Sequence, residues 1–302
     1  MSNIGRIDAC LHTDTGQVRD HNEDFVEWRE PTTLDEEVQN GWLYIVADGV
    51  GGADAGEVAS AYATERTIFH YFDNADRSDW GQRLIDAMFG ANRDLRQFIV
   101  DRNDNSRMAT TMVTAVIQEN HLFIGNVGDS RGYHWRQGYF QQVTKDHSLV
   151  AKLLEEGAIT PEEAKNHPHG NVILHSLGSE DSPRIDLFDL TWEPGDVLLL
   201  CSDGLTGHVE DDELGQIIST QSAQKAAQTL ISLANERGGK DNISVAIVKY
   251  MMPKMDKVVR VGGKGGVTAV SPSQRTLLWL FTLVLSITQS LLIFLAWFYL
   301  RV

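Results

Sequence analysis

Four aspartates stand at the ends of four apolar runs in this 302-residue sequence, and that shared position suggests chemistry. Asp48 closes Leu43-Tyr44-Ile45-Val46-Ala47 and is followed by Gly49-Val50-Gly51-Gly52. Asp129 follows Leu122-Phe123-Ile124 through Gly125-Asn126-Val127-Gly128, Asp203 follows Val197 to Ser202, and Asp241-Asn242 precedes Ile243 to Val248. A buried strand that delivers a carboxylate to its own end, with glycines allowing close approach, is arranged to hold a cation. If the four ends converge, the carboxylates cannot all stay ionised in a poorly solvated pocket without a partner. Carboxylate oxygens together with a backbone carbonyl select Mg²⁺, Mn²⁺ or Ca²⁺ over zinc or copper.

A second group precedes the first of these strands. Arg19-Asp20-His21-Asn22-Glu23-Asp24 sets a guanidinium beside carboxylates. Arginine suits bidentate contact with a phosphate, and the carboxylates supply further metal ligands or position water.

The elements that must position these groups are legible in the periodicity. Ile4 to His12 and Phe25 to Trp28 read as strands, and the acid-rich stretch Arg29 to Asn40 reads as a surface loop. After the Asp48 strand, Glu57 to Phe72 and Trp80 to Val100 carry apolar residues at helical spacing. Met108 to Val143 returns to short strands, divided by turns at Glu119-Asn120 and Gln137-Gly138. Residues 146–178 differ in kind, with one short helix at Leu149, Leu153 and Leu154 and a strong helix start at Thr160-Pro161-Glu162-Glu163. This small insert is placed to overhang a site. Strands then lead to Asp203, helices begin at Asp211 and Ser222, and Ile243 to Met251 closes the domain. Two strand groups interrupted by helix pairs predict an α+β architecture with sheet-on-sheet packing and helices outside.

Composition sets the bounds. The 42 acidic against 26 basic residues give a formal charge of −16, which argues against nonspecific nucleic-acid binding. Such a chain meets phosphorylated partners only if metal ions reverse the local sign. Cys10 and Cys201 lie in apolar runs without CxxC spacing and read as buried thiols in a reducing compartment. Met1 to Arg6 lacks the apolar run of a secretory leader. Residues 253–275 are rich in Lys, Gly, Ser and Pro and read as a flexible basic linker. Residues 276–300 carry no charge, and a helix of that length would span roughly 37 Å, enough to cross a bilayer core. Trp279 near one end, with Trp297 and Tyr299 near the other, fits interfacial aromatic belts. Lys249, Lys254, Lys257, Arg260, Lys264 and Arg275 precede this segment and only Arg301 follows, so the expectation is a single-pass anchor with the bulk of the chain on the cytoplasmic side.

In chain order, Arg19-Asp20-His21-Asn22-Glu23-Asp24, Val46-Ala47-Asp48-Gly49-Val50-Gly51-Gly52, Ala109-Thr110-Thr111, Val127-Gly128-Asp129-Ser130-Arg131, Lys145-Asp146-His147-Ser148, Leu200-Cys201-Ser202-Asp203-Gly204 and Asp241-Asn242-Ile243-Ser244 resemble the metal-dependent type 2C serine/threonine protein phosphatases, the PPM family, in its bacterial branch. The resemblance spans about residues 5 to 250. It implies a four-layer α-β-β-α sandwich, two antiparallel sheets flanked by helices, over residues 1–252, with 146–178 as a flap beside the cleft. It also implies two Mn²⁺ or Mg²⁺ ions bridged by Asp48. Asp203 and Asp241 would serve one ion, and the Gly49 carbonyl and Glu23 the other. Asp129 with Asp203 would form a weaker third site. Asp24 would orient water and Arg19 would hold the substrate phosphate. The implied chemistry is direct hydrolysis by a metal-activated water, without a phosphoenzyme. Some eukaryotic members carry His where this chain has Val50, so the proton donor stays open among metal-bound water, His21, His147, His169 and His175.

The main expectation is a membrane-tethered enzyme that removes phosphate from Ser or Thr of cytoplasmic proteins and opposes a Ser/Thr kinase. Two others compete with it: a catalytically weak phosphoprotein-binding module at the membrane, and a hydrolase of small phosphoesters.

Overall fold

The computed structural model describes residues 2–51, 55–73, 79–102, 108–165 and 167–252. The chain runs β1 (Ile7–Asp14), β2 (Asp24–Arg29), α1 (Leu34–Asn40), β3 (Trp42–Val50), α2 (Ala55–Asp73), α3 (Trp80–Arg102), β4 (Ala109–Thr110), β5 (Met112–Gln118), β6 (His121–Val127), β7 (Arg131–Arg136) and β8 (Tyr139–Gln142). It continues through α4 (Leu149–Glu155), α5 (Pro161–Lys165), β9 (Asp186–Thr191), β10 (Val197–Cys201), α6 (Asp203–Thr206), α7 (Asp211–Thr220), α8 (Ala223–Glu236) and β11 (Ile243–Tyr250). One sheet has the order β1-β11-β10-β7-β8 and the other β2-β3-β5-β6-β9, with β4 beside β3. Every pairing is antiparallel.

Strand β3 shows why the apolar runs are unbroken. Leu43, Ile45 and Ala47 pack toward Ala59, Ala63, Leu84 and Met88 of α2 and α3. Trp42, Tyr44 and Val46 face the other sheet, where they meet Leu198, Leu200, Ala246 and Val248. The opposite faces of β10 and β11, through Leu199, Cys201, Val245 and Ile247, pack on Leu214 and Leu230 of α7 and α8. Both faces of the central strands are therefore buried, and the alternation that marks a half-exposed strand disappears. The result is the expected four-layer sandwich. The two hairpin turns also fall where expected, with positive φ at Glu119, Gln137 and Gly138.

Two expectations need correction. The stretch read as a surface loop contains α1: Thr33 caps it by accepting from Glu36 N at 3.2 Å, and Asp35, Glu36 and Glu37 fill its first turn. The acid run that suggested a solvated loop is thus a favourable helix start. Glu37 is itself buried and accepts hydrogen bonds from Asn3 N, Ser2 Oγ and Trp42 Nε1. The first strand starts at Ile7, because residues 4–6 form a turn with Gly5 at φ 73°.

Residues 146–178 carry α4, where Ser148 accepts from Ala151 N, and α5, capped as the sequence predicts, with Thr160 and Glu163 capping each other reciprocally. The bridge Ser148↔Ile173 closes the insert on itself, and the insert is tied to the body by the bridge Thr110↔Leu177 and by Asn92 Oδ1, which accepts from Gly178 N at 2.8 Å. Further out, Lys165 Nζ meets Glu210 at 2.9 Å. The linker and anchor expected over 253–300 lie outside the described residues. Among the described residues no helix is long and apolar enough to cross a membrane.

Candidate metal centre

The strand ends converge. Asp48 near the end of β3 pairs in register with Asp24 at the start of β2, so these two carboxylates come from adjacent strands of one sheet. Asp203 and Asp241 come from the other sheet, at the end of β10 and just before β11, which pair with each other. Asp129 reaches the same end of the sandwich through Gly128, whose φ of 100° turns the chain sharply off β6.

Hydrogen bonds stitch the two sheets together at this point. Ser202 Oγ donates to Asp24 Oδ2 at 2.8 Å and accepts from Ser244 N at 3.0 Å. Asn242 is buried; its Oδ1 accepts from Glu23 N at 2.7 Å, and its Nδ2 donates to Thr15 O and His21 O, both at 2.9 Å. One side chain next to Asp241 therefore supplies three of the hydrogen bonds that hold the loop carrying Arg19 and Glu23. Behind Asp48, Thr110 Oγ1 donates to its carbonyl at 2.8 Å, and Thr111 Oγ1, in contact with Ser130 Oγ at 2.8 Å, accepts from its backbone N–H. A clamp at the base of the insert completes the frame, where Arg131 grips Asp146 at 2.7 Å.

Burial and mutual repulsion dominate the electrostatics. Burial pushes the Asp24 carboxyl up to about 7, against hydrogen bonds from Ser244 and Ser202, and the charges of Asp203 and Asp241 push it further. Asp129 is likewise raised to about 7 by burial and then by Asp203 and Asp146. Asp48 lies well above the carboxylate range, through burial first and then the charges of Asp24, Asp203, Asp129 and Asp241. Burial and Asp241 raise Asp203, while a hydrogen bond with Asp48 opposes the rise. Glu23 is raised by burial, with Arg19 acting the other way. These five carboxylates so placed hold protons more tightly than exposed ones unless a cation replaces them.

The donors present fit a hard divalent cation. All are carboxylate or carbonyl oxygens, and Asp24 Oδ1 and Asp129 Oδ1 are buried with no hydrogen-bond partner. The glycines keep the same space open: a Cβ on Gly56 would lie 2.7 Å from Glu23 Oε1 and 2.9 Å from the Gly49 carbonyl oxygen. Among the described residues no three acidic, His or Cys side chains already stand in ligand geometry. Asp203 is instead hydrogen-bonded with Asp48, Asp24 with Ser202 and Asp241 with Arg19.

Every residue singled out from the sequence is thus at this end of the sandwich: Glu23, Asp24, Asp48, Gly49, Asp129, Asp203 and Asp241, with Arg19 bound to Asp241 at 2.7 Å. The histidines divide. His147 is buried, accepting from Gly128 N and pairing with Asp186, and His175 pairs with Glu180. His169 and His21 are exposed. Sequence reasoning assigned no role to Ser202 or Asn242. The only available signal was their place in the motifs at two strand ends.

A double-sheet sandwich with helices outside and an oxygen-only acidic pocket at one end defines a class of metal-dependent phosphoester hydrolases. The family model described as Protein phosphatase 2C matches residues 21–245. The chain is 37% identical over 248 residues to the serine/threonine phosphatase stp of Listeria monocytogenes serotype 4b, covering 80% of this chain and 95% of that one. The crystal structure of the Mycobacterium tuberculosis serine/threonine phosphatase PstP/Ppp superposes with a TM-score of 0.72 at 33% identity, covering 82% of this chain and 99% of that one. The catalytic domain of PstP in complex with two manganese ions superposes at 0.69, also at 33% identity and with the same coverage. The chain belongs to the protein phosphatase 2C family and is a protein serine/threonine phosphatase.

Proposed function

We propose that this chain hydrolyses phosphoserine and phosphothreonine on cytoplasmic proteins with two Mn²⁺ or Mg²⁺ ions as cofactor, opposing a Ser/Thr kinase from a membrane-tethered position. The observation that carries the metal centre is the convergence of Glu23, Asp24, Asp48, Asp129, Asp203 and Asp241 into a pocket too buried to leave them all ionised. Asp48, beside Asp24 in its own sheet and hydrogen-bonded with Asp203 from the other, would help to hold both ions. Asp203 and Asp241 would hold one ion, and Glu23 with the Gly49 carbonyl the other. Asp129 with Asp203 would form a weaker third site. Bound there, the ions supply charge against the phosphoryl oxygens and an acidified water at neutral pH.

The protein's own groups do the rest. Asp24 keeps one oxygen on Ser202 and leaves the other without a partner, so it is held to accept a proton from water and orient its lone pairs. Arg19 is half-exposed at the rim, where its guanidinium would grip the incoming phosphate. The water oxygen bonds to phosphorus as the bond to the Ser or Thr oxygen breaks, Asp24 takes the water's proton and the departing oxygen takes one from solvent water to leave as the hydroxyl, so no protein nucleophile is needed. For location, the support is the uncharged 276–300 segment with its basic approach.

The test is phosphate release by the full-length chain in its expressing membranes, from a phosphoserine peptide and from para-nitrophenyl phosphate, with Mn²⁺ or EDTA. Peptide turnover that needs Mn²⁺, vanishes in Asp48→Ala and pellets with alkali-washed membranes is the expected result. Turnover that EDTA leaves intact removes the metal reading, turnover of the small ester alone removes the protein substrate, and activity left in the supernatant removes the tether.

A further inference from the structure

Among the described residues Arg19 pairs with Asp241, and the contact occupies an atom the metal reading needs. Arg19 Nη2 donates to Asp241 Oδ2 at 2.7 Å, while Asp241 Oδ1 accepts from Asn242 N at 2.9 Å. Both Asp241 oxygens are therefore engaged from the protein side. The guanidinium also sits within the field of Glu23 and Asp48, which together with Asp241 favour its charged form. Arg19 is thus a cation that partly neutralises the Glu23, Asp48 and Asp241 side of the cluster. Its side chain is 47% exposed and lies on a loop anchored by Asn242, so it can swing to solvent without disturbing the core.

We infer that Arg19 is a displaceable counter-ion: it occupies Asp241 until a divalent cation takes that carboxylate, and the displacement releases the guanidinium to meet the substrate phosphate. The inference rests on the proposed metal centre and deepens it. A guanidinium and a divalent ion drawn to the same Asp241 oxygen repel each other, and the divalent ion has the larger claim. Arg19 would then have two successive anionic partners, first Asp241 and then the phosphate. The protein would present its phosphate-binding arginine only after the metal is in place. Because coupling of this kind is reciprocal, whatever holds Arg19 away from Asp241 tightens the metal.

Metal affinity is the discriminating readout, since a damaged fold cannot produce a gain in it. Mn²⁺ binding to the EDTA-stripped full-length chain, followed by titration calorimetry without substrate, should tighten roughly threefold or more in Arg19→Gln and in Arg19→Ala, the scale expected for removing one exposed ion pair. Lys240→Gln controls for charge alone, because Lys240 is exposed and adjacent to Asp241 but is not paired with it. It should shift affinity much less. Unchanged or weaker Mn²⁺ binding in both Arg19 variants, or equal tightening in Lys240→Gln, overturns the displacement. Failure of the wild-type chain to bind Mn²⁺ at all, with Asp48→Ala indistinguishable from it, removes the metal centre and the inference together.

Discussion

Asn242 concentrates three hydrogen bonds in one buried side chain, and all three go to the segment that delivers Glu23 and Arg19. Leaving those groups without partners costs about 2–3 kcal/mol, which is the expected loss of stability in Asn242→Ala by denaturant unfolding. The loss of turnover should exceed what the unfolded fraction explains, because the Glu23 loop loses its register against Asp241. A variant that is destabilised but fully active per folded molecule would break that link. The same residue marks where sequence reading stops. The aspartates announced themselves by ending apolar runs, whereas Asn242 and Ser202 are polar residues whose partners lie 219 and 178 positions away. Nothing local in the sequence fixes such pairings. They arise because β2, from one sheet, and β10 and β11, from the other, end at the same place.

At the scale of elements, the long apolar strands and the two amphipathic helix pairs were legible because burial imposes their periodicity. Helix α1 was not, since its charged residues look alike whether they solvate a loop or fill a first turn. Its Glu37 ties the N-terminal residues to Trp42 at the start of β3, at the opposite end of that strand from Asp48. Glu37→Leu should therefore cost about 2–3 kcal/mol through the donors it strands. Measured at a temperature where the fold is intact, it should leave the Mn²⁺ dependence of turnover unchanged. This is the reverse of the pattern expected for Asn242→Ala. A shifted metal requirement in Glu37→Leu would show that the two ends of β3 are coupled in a way the packing does not predict.

For the whole molecule, a charge of −16 and an acidic pocket make stability depend on pH and on metal together. Asp24 and Asp129 bind protons more tightly folded than unfolded, with pKa values raised from 3.8 to about 7, and Asp48 is raised as well. Groups raised in this way stabilise the fold below about pH 4, and that contribution is lost as pH climbs through about 7. The EDTA-treated chain should accordingly melt at a lower temperature at pH 7.5 than at pH 5.5, and saturating Mn²⁺ should remove the difference by replacing the protons. A metal-free chain that gains stability over that interval would show that other titrating groups dominate. The most direct test is anomalous diffraction at the manganese edge from crystals of the chain soaked in Mn²⁺. The account predicts two peaks sharing Asp48, one beside Asp203 and Asp241 and the other beside Glu23 and the Gly49 carbonyl. Manganese bound only at surface carboxylates, with none touching Asp48, would contradict it.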